Sequence, residues 1–357
     1  MKDVLLVGAG NIGEMSAWLL GSSGDYRVTL GDRAADPLKA VEGFPNVEGA
    51  VFDATDEGQL REALDGKFAV LSAAPFFVTA KIAKIAHDAG VHYLDLTEDV
   101  ASTDLVKELS ASAQAALIPQ CGLAPGFVSI AGMHLARQFD ELDTLHMRVG
   151  ALPRYPNNAL GYNLNWSVDG VINEYIEPCD VVSDGVLRKA PALEELEKIS
   201  IDGVEYEAFN TSGGLGTLAE TLQGKVRDLN YRTMRYPGHR DIMKLLIQDL
   251  KLGEKRELFR DILVDALPAA RQDVVVIYVS ASGRKDGKLV QETYAKKVFA
   301  EERDGKHWTA IQITTASAIC AVLDMLKDGD IPDKGFIKQE DIPLPSFLEN
   351  RFGRAYV

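Results

Sequence analysis

Apolar runs and amphipathic stretches alternate with a regular beat through the first third of this chain. Residues 4–7 form an unbroken apolar run, the pattern of a strand covered on both faces, and residues 14–20 repeat apolar positions at helical spacing. Residues 26–30 give a second strand, 47–52 a third, and 57–64 an amphipathic helix. A fourth strand at 68–72 leads into a helix ending near residue 89, and shorter strands follow at 93–96 and 115–120. Strands that alternate with helices are joined by right-handed crossovers and build a parallel, doubly wound α/β sheet. Ligands of such sheets lie beyond the carboxyl ends of the strands. Asp53 and residues 73–76, 95–98 and 121–126 are therefore site candidates.

The beat changes after Gly126. Strand patterns at 142–149, 180–182, 198–201, 204–209, 231–236, 273–281 and 289–299 follow with few helices between them, and a weaker one lies at 308–314. Asp202-Gly203 and Asp286-Gly287 read as hairpin turns, which predicts a second, mainly antiparallel sheet. Helices at 241–250 and 258–266 are expected to cover it. A last helix at 316–327, rich in small residues, is expected to pack back on the first domain. The expected division is 1–125, 126–315 and 316–357. No internal repeat or low-complexity segment interrupts it.

Composition narrows the function classes. Hydrophobic residues make up 46% and charged residues 25% of 357 positions, which suits folded domains with sizeable cores. A net charge of −15 argues against nucleic acid and anionic membrane as partners but does not identify a substrate; a small-molecule substrate is the expectation. The first residues read as a strand without a signal-peptide pattern, and no apolar stretch reads as a membrane span. Cys121, Cys179 and Cys320 stand far apart, with neither C-x-x-C nor zinc spacing. A reducing, cytoplasmic setting without a bound metal is the expectation.

The chemistry starts between the first strand and its helix, at Gly8-Ala9-Gly10-Asn11-Ile12-Gly13. This is G-x-G-x-x-G in the strand–loop–helix context that binds dinucleotides. Gly8 allows the tight turn, Gly10 lets backbone approach a pyrophosphate, and Gly13 lets helix and strand pack closely. The N–H groups around Asn11 and Ile12 face the phosphates. Asp32 ends the second strand and can accept both ribose hydroxyls, which favours NAD; Arg33 beside it could hold a 2′-phosphate, so NADP stays open. Asp53, the small residues Ala73-Ala74-Pro75, and Cys121-Gly122 complete the expected cofactor contacts.

Candidate substrate residues follow. Asp95, Thr97 and Glu98 crowd one strand end; they read equally as a helix cap or as carboxylates facing an amine, with Glu98 as general base. Thr211-Ser212-Gly213-Gly214 could form an anion nest for a substrate carboxylate, or a mobile hairpin loop. Arg235 is a candidate carboxylate clamp, because its planar fork matches that group. His239 could shuttle a proton, although a histidine after Pro-Gly also reads as an exposed loop residue. No Ser/His/Asp order, H-E-x-x-H pair or Walker loop appears, and hydride transfer needs none of them.

With these residues in place, the chain resembles the saccharopine dehydrogenase family nearly end to end. The likeness rests on VLLVGAGNIG, SAAPFF, HYLDLTED, CGLAPGF, GALP, LGYNLNWSVDGVINEY, AFNTSGGLGTL, YRTMRYPGH and GFIKQEDI, in that order. It implies a Rossmann domain, a second α+β domain with a mixed or antiparallel sheet, a C-terminal segment returning to the first, and a homodimer. Within the family the chain looks most like the lysine 6-dehydrogenases, which read A-P-G and T-S-G-G as here. Glutamate-forming members carry Asp where this chain has Ala124, an arginine in the segment aligned with 210–214, and a cysteine near Val149.

The implied reaction oxidises the ε C–N bond of lysine, giving 2-aminoadipate 6-semialdehyde and ammonia. Glu98 would receive the amine and Arg235 with the Thr211–Gly214 loop the α-carboxylate, with His239 as second candidate base. Saccharopine oxidation with release of glutamate is the alternative, another amine substrate a further one, and a non-catalytic dinucleotide sensor the alternative of another class.

Overall fold

The structure, a computed structural model, describes residues 1–164, 166–269 and 271–357. The chain forms two compact units, Met1–Ile130 with Gln312–Val357, and Ala131–Ile311.

The first unit is built on strands β1 (Lys2–Val7), β2 (Tyr26–Asp32), β3 (Val47–Val51), β4 (Ala69–Ser72), β5 (His92–Asp95) and β6 (Ala116–Ile118). They lie in the order β6-β5-β4-β1-β2-β3, and the short strand Gly335–Phe336 adds to the β6 edge. Every neighbouring pair is parallel. Val4, Leu5 and Leu6 are fully buried, as a strand covered on both faces requires. The chain leaves β1 towards β2 on one side and later returns to β4 on the other. That reversal opens the crevice in which doubly wound sheets hold ligands.

A buried polar knot ties the C-terminal segment into this unit. Tyr26 donates from its hydroxyl to Asp324 at 2.8 Å, and Arg351 grips the same carboxylate through Nε and Nη2 at 3.0 and 2.7 Å. The helix Ala310–Asp328 carries Asp324. With 19 residues it is long and apolar enough to cross a membrane by length and composition, contrary to the sequence expectation. Most of it is buried in protein instead, as a core helix is.

This helix also corrects the strand expected at 308–314. Only Lys306–Trp308 is extended; the helix begins at Ala310. The β-branched residues Thr309, Ile311, Ile313 and Thr314 imitate a strand pattern. The deciding group is remote in sequence: Asp273 accepts from the Ala310 and Ile311 N–H groups at 2.6 and 3.1 Å and caps the helix.

The second unit holds an eight-stranded sheet. Its strands are β7 (Glu141–Pro153), β8 (Cys179–Ser183), β9 (Val186–Ala190), β10 (Glu197–Ile201), β11 (Val204–Asn210), β12 (Val226–Arg235), β13 (Asp273–Lys285) and β14 (Lys288–Phe299). The order is β10-β11-β12-β7-β13-β14, with β8 and β9 attached beside β12. The β12–β7 pair is parallel and the other pairs are antiparallel. β9 was not legible in the sequence, because Val186–Ala190 mixes charged and apolar residues without alternation. The helices Val168–Ile176 and Arg256–Ala266 join His239–Lys244 in packing around Tyr162, Tyr175, Phe209 and Phe259. The helix expected at 241–250 runs as α-helix only over His239–Lys244 and continues as a π turn over Leu245–Asp249.

Candidate functional site

In the first unit the glycine loop lies at the β1/β4 reversal. Gly8 holds φ +105°, and a Cβ there would sit 2.6 Å from the Ala73 carbonyl oxygen. A Cβ on Gly13 would lie 1.9 Å from the Gly8 oxygen, so helix and loop close on each other. Gly10 is different: a Cβ would meet nothing within 4 Å. The space beside it is open, and Gly10 stands at the N-cap of the helix Asn11–Ser22 without a capping side chain. N–H groups at Asn11 and Ile12 without a partner among the described residues, beside open space, are what a pyrophosphate needs. The loop thus fits a dinucleotide.

Asp32 accepts from Ala9 N–H at 2.9 Å and from Ala34 N–H at 3.0 Å, which pins its carboxylate to the rim of the loop. Arg33 is exposed and forms no ion pair among the described residues. Asp53 closes a turn on Thr55 N–H and Oγ1 at 2.8 and 2.7 Å, and these hydrogen bonds hold its carboxyl below the ordinary range. Ala73 donates to the Val7 carbonyl at 2.8 Å, and Ala74 and Pro75 lead into the helix Phe76–Ala89.

The three residues expected at the end of β5 separate into different jobs. Asp95 is fully buried and accepts from Tyr93 Oη at 2.6 Å, Gln120 N–H at 2.8 Å and Thr97 N–H at 3.0 Å. Burial pushes its carboxyl up to about 6 against those hydrogen bonds. Thr97 accepts from Asp99 N–H at 3.1 Å, and Asp99 caps the helix Val100–Leu109 through Ser102. Asp95 and Thr97 therefore spend their oxygens on holding the turn. Glu98 is half-buried and has no side-chain partner among the described residues. Desolvation raises its carboxyl, and the charges of Asp99 and Asp95 add to that. It is the acid of this trio left available for proton transfer.

Cys121 offers a ligand only backbone. Its thiol is buried, donates to the Ile118 carbonyl at 3.1 Å and accepts from Gln339 Nε2 at 3.2 Å, and burial pushes it well above the usual range. Gly122 continues into a tight turn that contains the cis Ala124–Pro125 bond. Among the described residues no cluster of three or more His, Cys, Asp or Glu is placed to hold a metal.

In the second unit Arg235, at the end of β12, is 3% exposed. Its Nε donates to Tyr175 Oη at 2.9 Å, and its Nη1 donates to Thr233 Oγ1 and the Met234 carbonyl at 2.8 and 2.9 Å. The guanidinium lies 4.9 Å from the Tyr162 ring centroid. Its Nη2 has no hydrogen-bond partner among the described residues. Arg148 and Arg232, by contrast, are bound to Glu197, and Arg232 also to Glu195. Arg235 has no such ion pair among the described residues.

His239, the second candidate base, is 1% exposed rather than at a loop surface. Both ring nitrogens are engaged, with Tyr175 Oη at 2.9 Å and the Leu160 carbonyl at 3.0 Å. Burial and the Arg235 charge push its pKa down to about 3, so the ring is neutral.

The Thr211–Gly214 loop reaches the same neighbourhood. A Cβ on Gly214 would strike the Tyr231 ring at 2.3 Å, and the loop follows β11, whose Phe209 pairs with Thr233 of β12. Thr211 Oγ1 is buried without a hydrogen-bond partner among the described residues. Ser212 N–H donates to the Glu174 carbonyl at 3.0 Å. Tyr162, Tyr175, Thr233 and the buried Glu174 were not singled out in the sequence. Their aromatic and helical spacing reads as ordinary core, and only the stretches LGYNLNWSVDGVINEY and YRTMRYPGH gave a signal.

Two family descriptions divide the chain. Residues 4–118 match the saccharopine dehydrogenase NADP binding domain, and residues 122–353 match the saccharopine dehydrogenase C-terminal domain. The saccharopine dehydrogenase [NADP(+), L-glutamate-forming] of Schizosaccharomyces pombe is 20% identical over 320 residues, covering 86% of this chain and 70% of that protein. The apo saccharopine dehydrogenase (L-Glu forming) from Saccharomyces cerevisiae superposes with a TM-score of 0.77 at 16% identity, over 98% of this chain and 97% of the other. A C. glutamicum DAP dehydrogenase in complex with DAP gives a TM-score of 0.50 at 12% identity, over 96% and 93%. At such identities the two solved structures speak for the fold alone.

Proposed function

Since the chain belongs to the saccharopine dehydrogenase family, we propose that it oxidises the C–N bond of an amino acid with a nicotinamide dinucleotide, and that its reaction is the glutamate-forming cleavage of saccharopine. The observation that carries this reading is Arg235. A buried guanidinium whose Nη2 has no hydrogen-bond partner and which forms no ion pair among the described residues is suited to a substrate carboxylate.

The glycine loop takes the pyrophosphate on the N–H groups that open beside Gly10. Arg33, exposed and without an ion pair among the described residues, takes the 2′-phosphate of NADP, while Asp32 keeps the ribose hydroxyls and leaves NAD usable. A bound nicotinamide would supply the hydride acceptor for the carbon of the substrate C–N bond. Glu98 removes the proton from the secondary ammonium first, so that the nitrogen lone pair can drive imine formation. Water then adds to the imine carbon, and the C–N bond breaks. Glu98 returns its proton to the departing nitrogen, releasing glutamate and leaving 2-aminoadipate 6-semialdehyde. Asp95 and Thr97 hold the turn that carries Glu98, and His239 holds the Arg235 environment instead of acting as a base.

One observation favours lysine as substrate. Saccharopine brings three carboxylates, and Arg235 alone among Arg148, Arg232 and Arg235 lacks an acid partner. Lysine brings one carboxylate and would release ammonia. Saccharopine and L-lysine, each incubated with the protein and NADP or NAD, separate the readings through the absorbance of reduced nicotinamide. Saccharopine-dependent reduction supports the first reading. Reduction with lysine alone would replace it by the second, and silence with both would favour a dinucleotide sensor.

A further inference from the structure

A buried arginine orients a ligand only if its own fork is fixed, and the neighbours of Arg235 fix it in one way. Arg235 Nε can only donate, so Tyr175 Oη is the acceptor in that contact. The tyrosine has one proton, and it points to His239 Nε2 at 2.9 Å. That nitrogen accepts only if the ring carries its proton on Nδ1, and Nδ1 lies 3.0 Å from the Leu160 carbonyl, which accepts it. The chain Arg235–Tyr175–His239–Leu160 therefore has a single consistent direction. The ring is also held by aromatic neighbours: Tyr162, Tyr175 and Phe209 have centroids 5.4, 5.8 and 6.2 Å away. The backbone turn Pro237-Gly238, with Gly238 at φ +98°, brings His239 back under the arginine that precedes it by four positions.

We propose that His239 is a positioning residue that sets affinity for the substrate carboxylate by orienting the Arg235 fork through Tyr175. It moves no proton to or from substrate. This rests on the reading of Arg235 as carboxylate holder, and it assigns part of that affinity to a side chain whose two ring nitrogens are both engaged within the protein.

The test is steady-state kinetics with saccharopine and with L-lysine on the full chain, with circular dichroism checking that each variant folds. His239→Phe keeps a ring in the aromatic cage but removes the acceptor, and it should raise KM about tenfold with kcat little changed. His239→Gln, which restores an acceptor and a donor, should recover most of the loss. Tyr175→Phe should match His239→Phe, and the double variant should be no worse than either single one, because both break the same chain. Additive effects, an equal fall in kcat, or a Gln variant as poor as Phe would overturn the proposal. If Arg235→Ala leaves KM unmoved, the carboxylate-holder reading itself falls. If Arg235→Ala raises KM and His239→Phe does not, only the positioning role falls. Absence of both turnover and calorimetric binding of saccharopine by the unaltered protein would overturn both.

Discussion

The glycine loop of the first unit and the Arg235 cluster of the second hold charge by opposite means. The loop is made of backbone. Its three glycines lie within six positions, and what matters is where a Cβ would or would not fit. The Arg235 cluster is made of side chains drawn from far along the chain: Tyr162, Tyr175 and Thr233 contact one guanidinium, and His239 holds Tyr175. A backbone site is written locally and survives as a motif. A side-chain site is assembled by the fold and leaves only scattered residues in the sequence.

The largest expected effect breaks the backbone half. Gly13→Val puts a side chain where even a Cβ lies 1.9 Å from the Gly8 oxygen, and dinucleotide binding should disappear in a calorimetric titration. Gly10→Ala sharpens the contrast. Nothing within 4 Å meets its Cβ, so thermal stability should hold while dinucleotide affinity falls about tenfold. Equal losses at both positions would mean that packing, not ligand approach, explains the loop.

Glu98→Gln should lower kcat about a thousandfold, because the amide takes no proton. Since burial raises the Glu98 carboxyl, activity of the unaltered protein should fall as pH drops through that raised value, and the limb should vanish in the variant. A thousandfold loss without any change in the pH profile would remove Glu98 as base.

Asp95 gives a stability effect of opposite sign from the usual carboxylate. Its folded-state value of about 6 lies above the ordinary 3.8, so the folded protein binds this proton more tightly than the unfolded chain. The contribution is fully present below about pH 4 and is lost as pH rises through 6, about 3 kcal/mol in all. Relative to Asp95→Asn, the unaltered protein should lose that much in urea unfolding between those values. A difference that does not vary with pH would show that Asp95 stays charged throughout. The smallest effect expected is at Arg33: Arg33→Ala should weaken NADP about tenfold and leave NAD little changed, measured as the ratio of their KM values.

The same contrast explains what the sequence disclosed. The doubly wound sheet and the glycine loop were legible because strand, turn and helix follow one another within a few residues. The mainly antiparallel second sheet was legible from hairpin turns, although the parallel β12–β7 pair joins strands far apart and gave no local sign. Arg235 could be picked out by its chemistry, but its partner Tyr175 lies 60 positions earlier. His239 looked like a loop residue because Pro237-Gly238 marks a turn, and the turn instead feeds a buried helix start. Residues 308–314 looked extended because the cap that starts their helix comes from Asp273. In each case the missing information was a contact between distant positions.

The measurement that bears most directly on the account is a product balance during turnover: glutamate and ammonia counted against reduced nicotinamide, with saccharopine supplied to the intact protein and NADP. The account predicts one glutamate for each reduced nicotinamide and no ammonia. Ammonia formed from lysine, with saccharopine left intact, would contradict it.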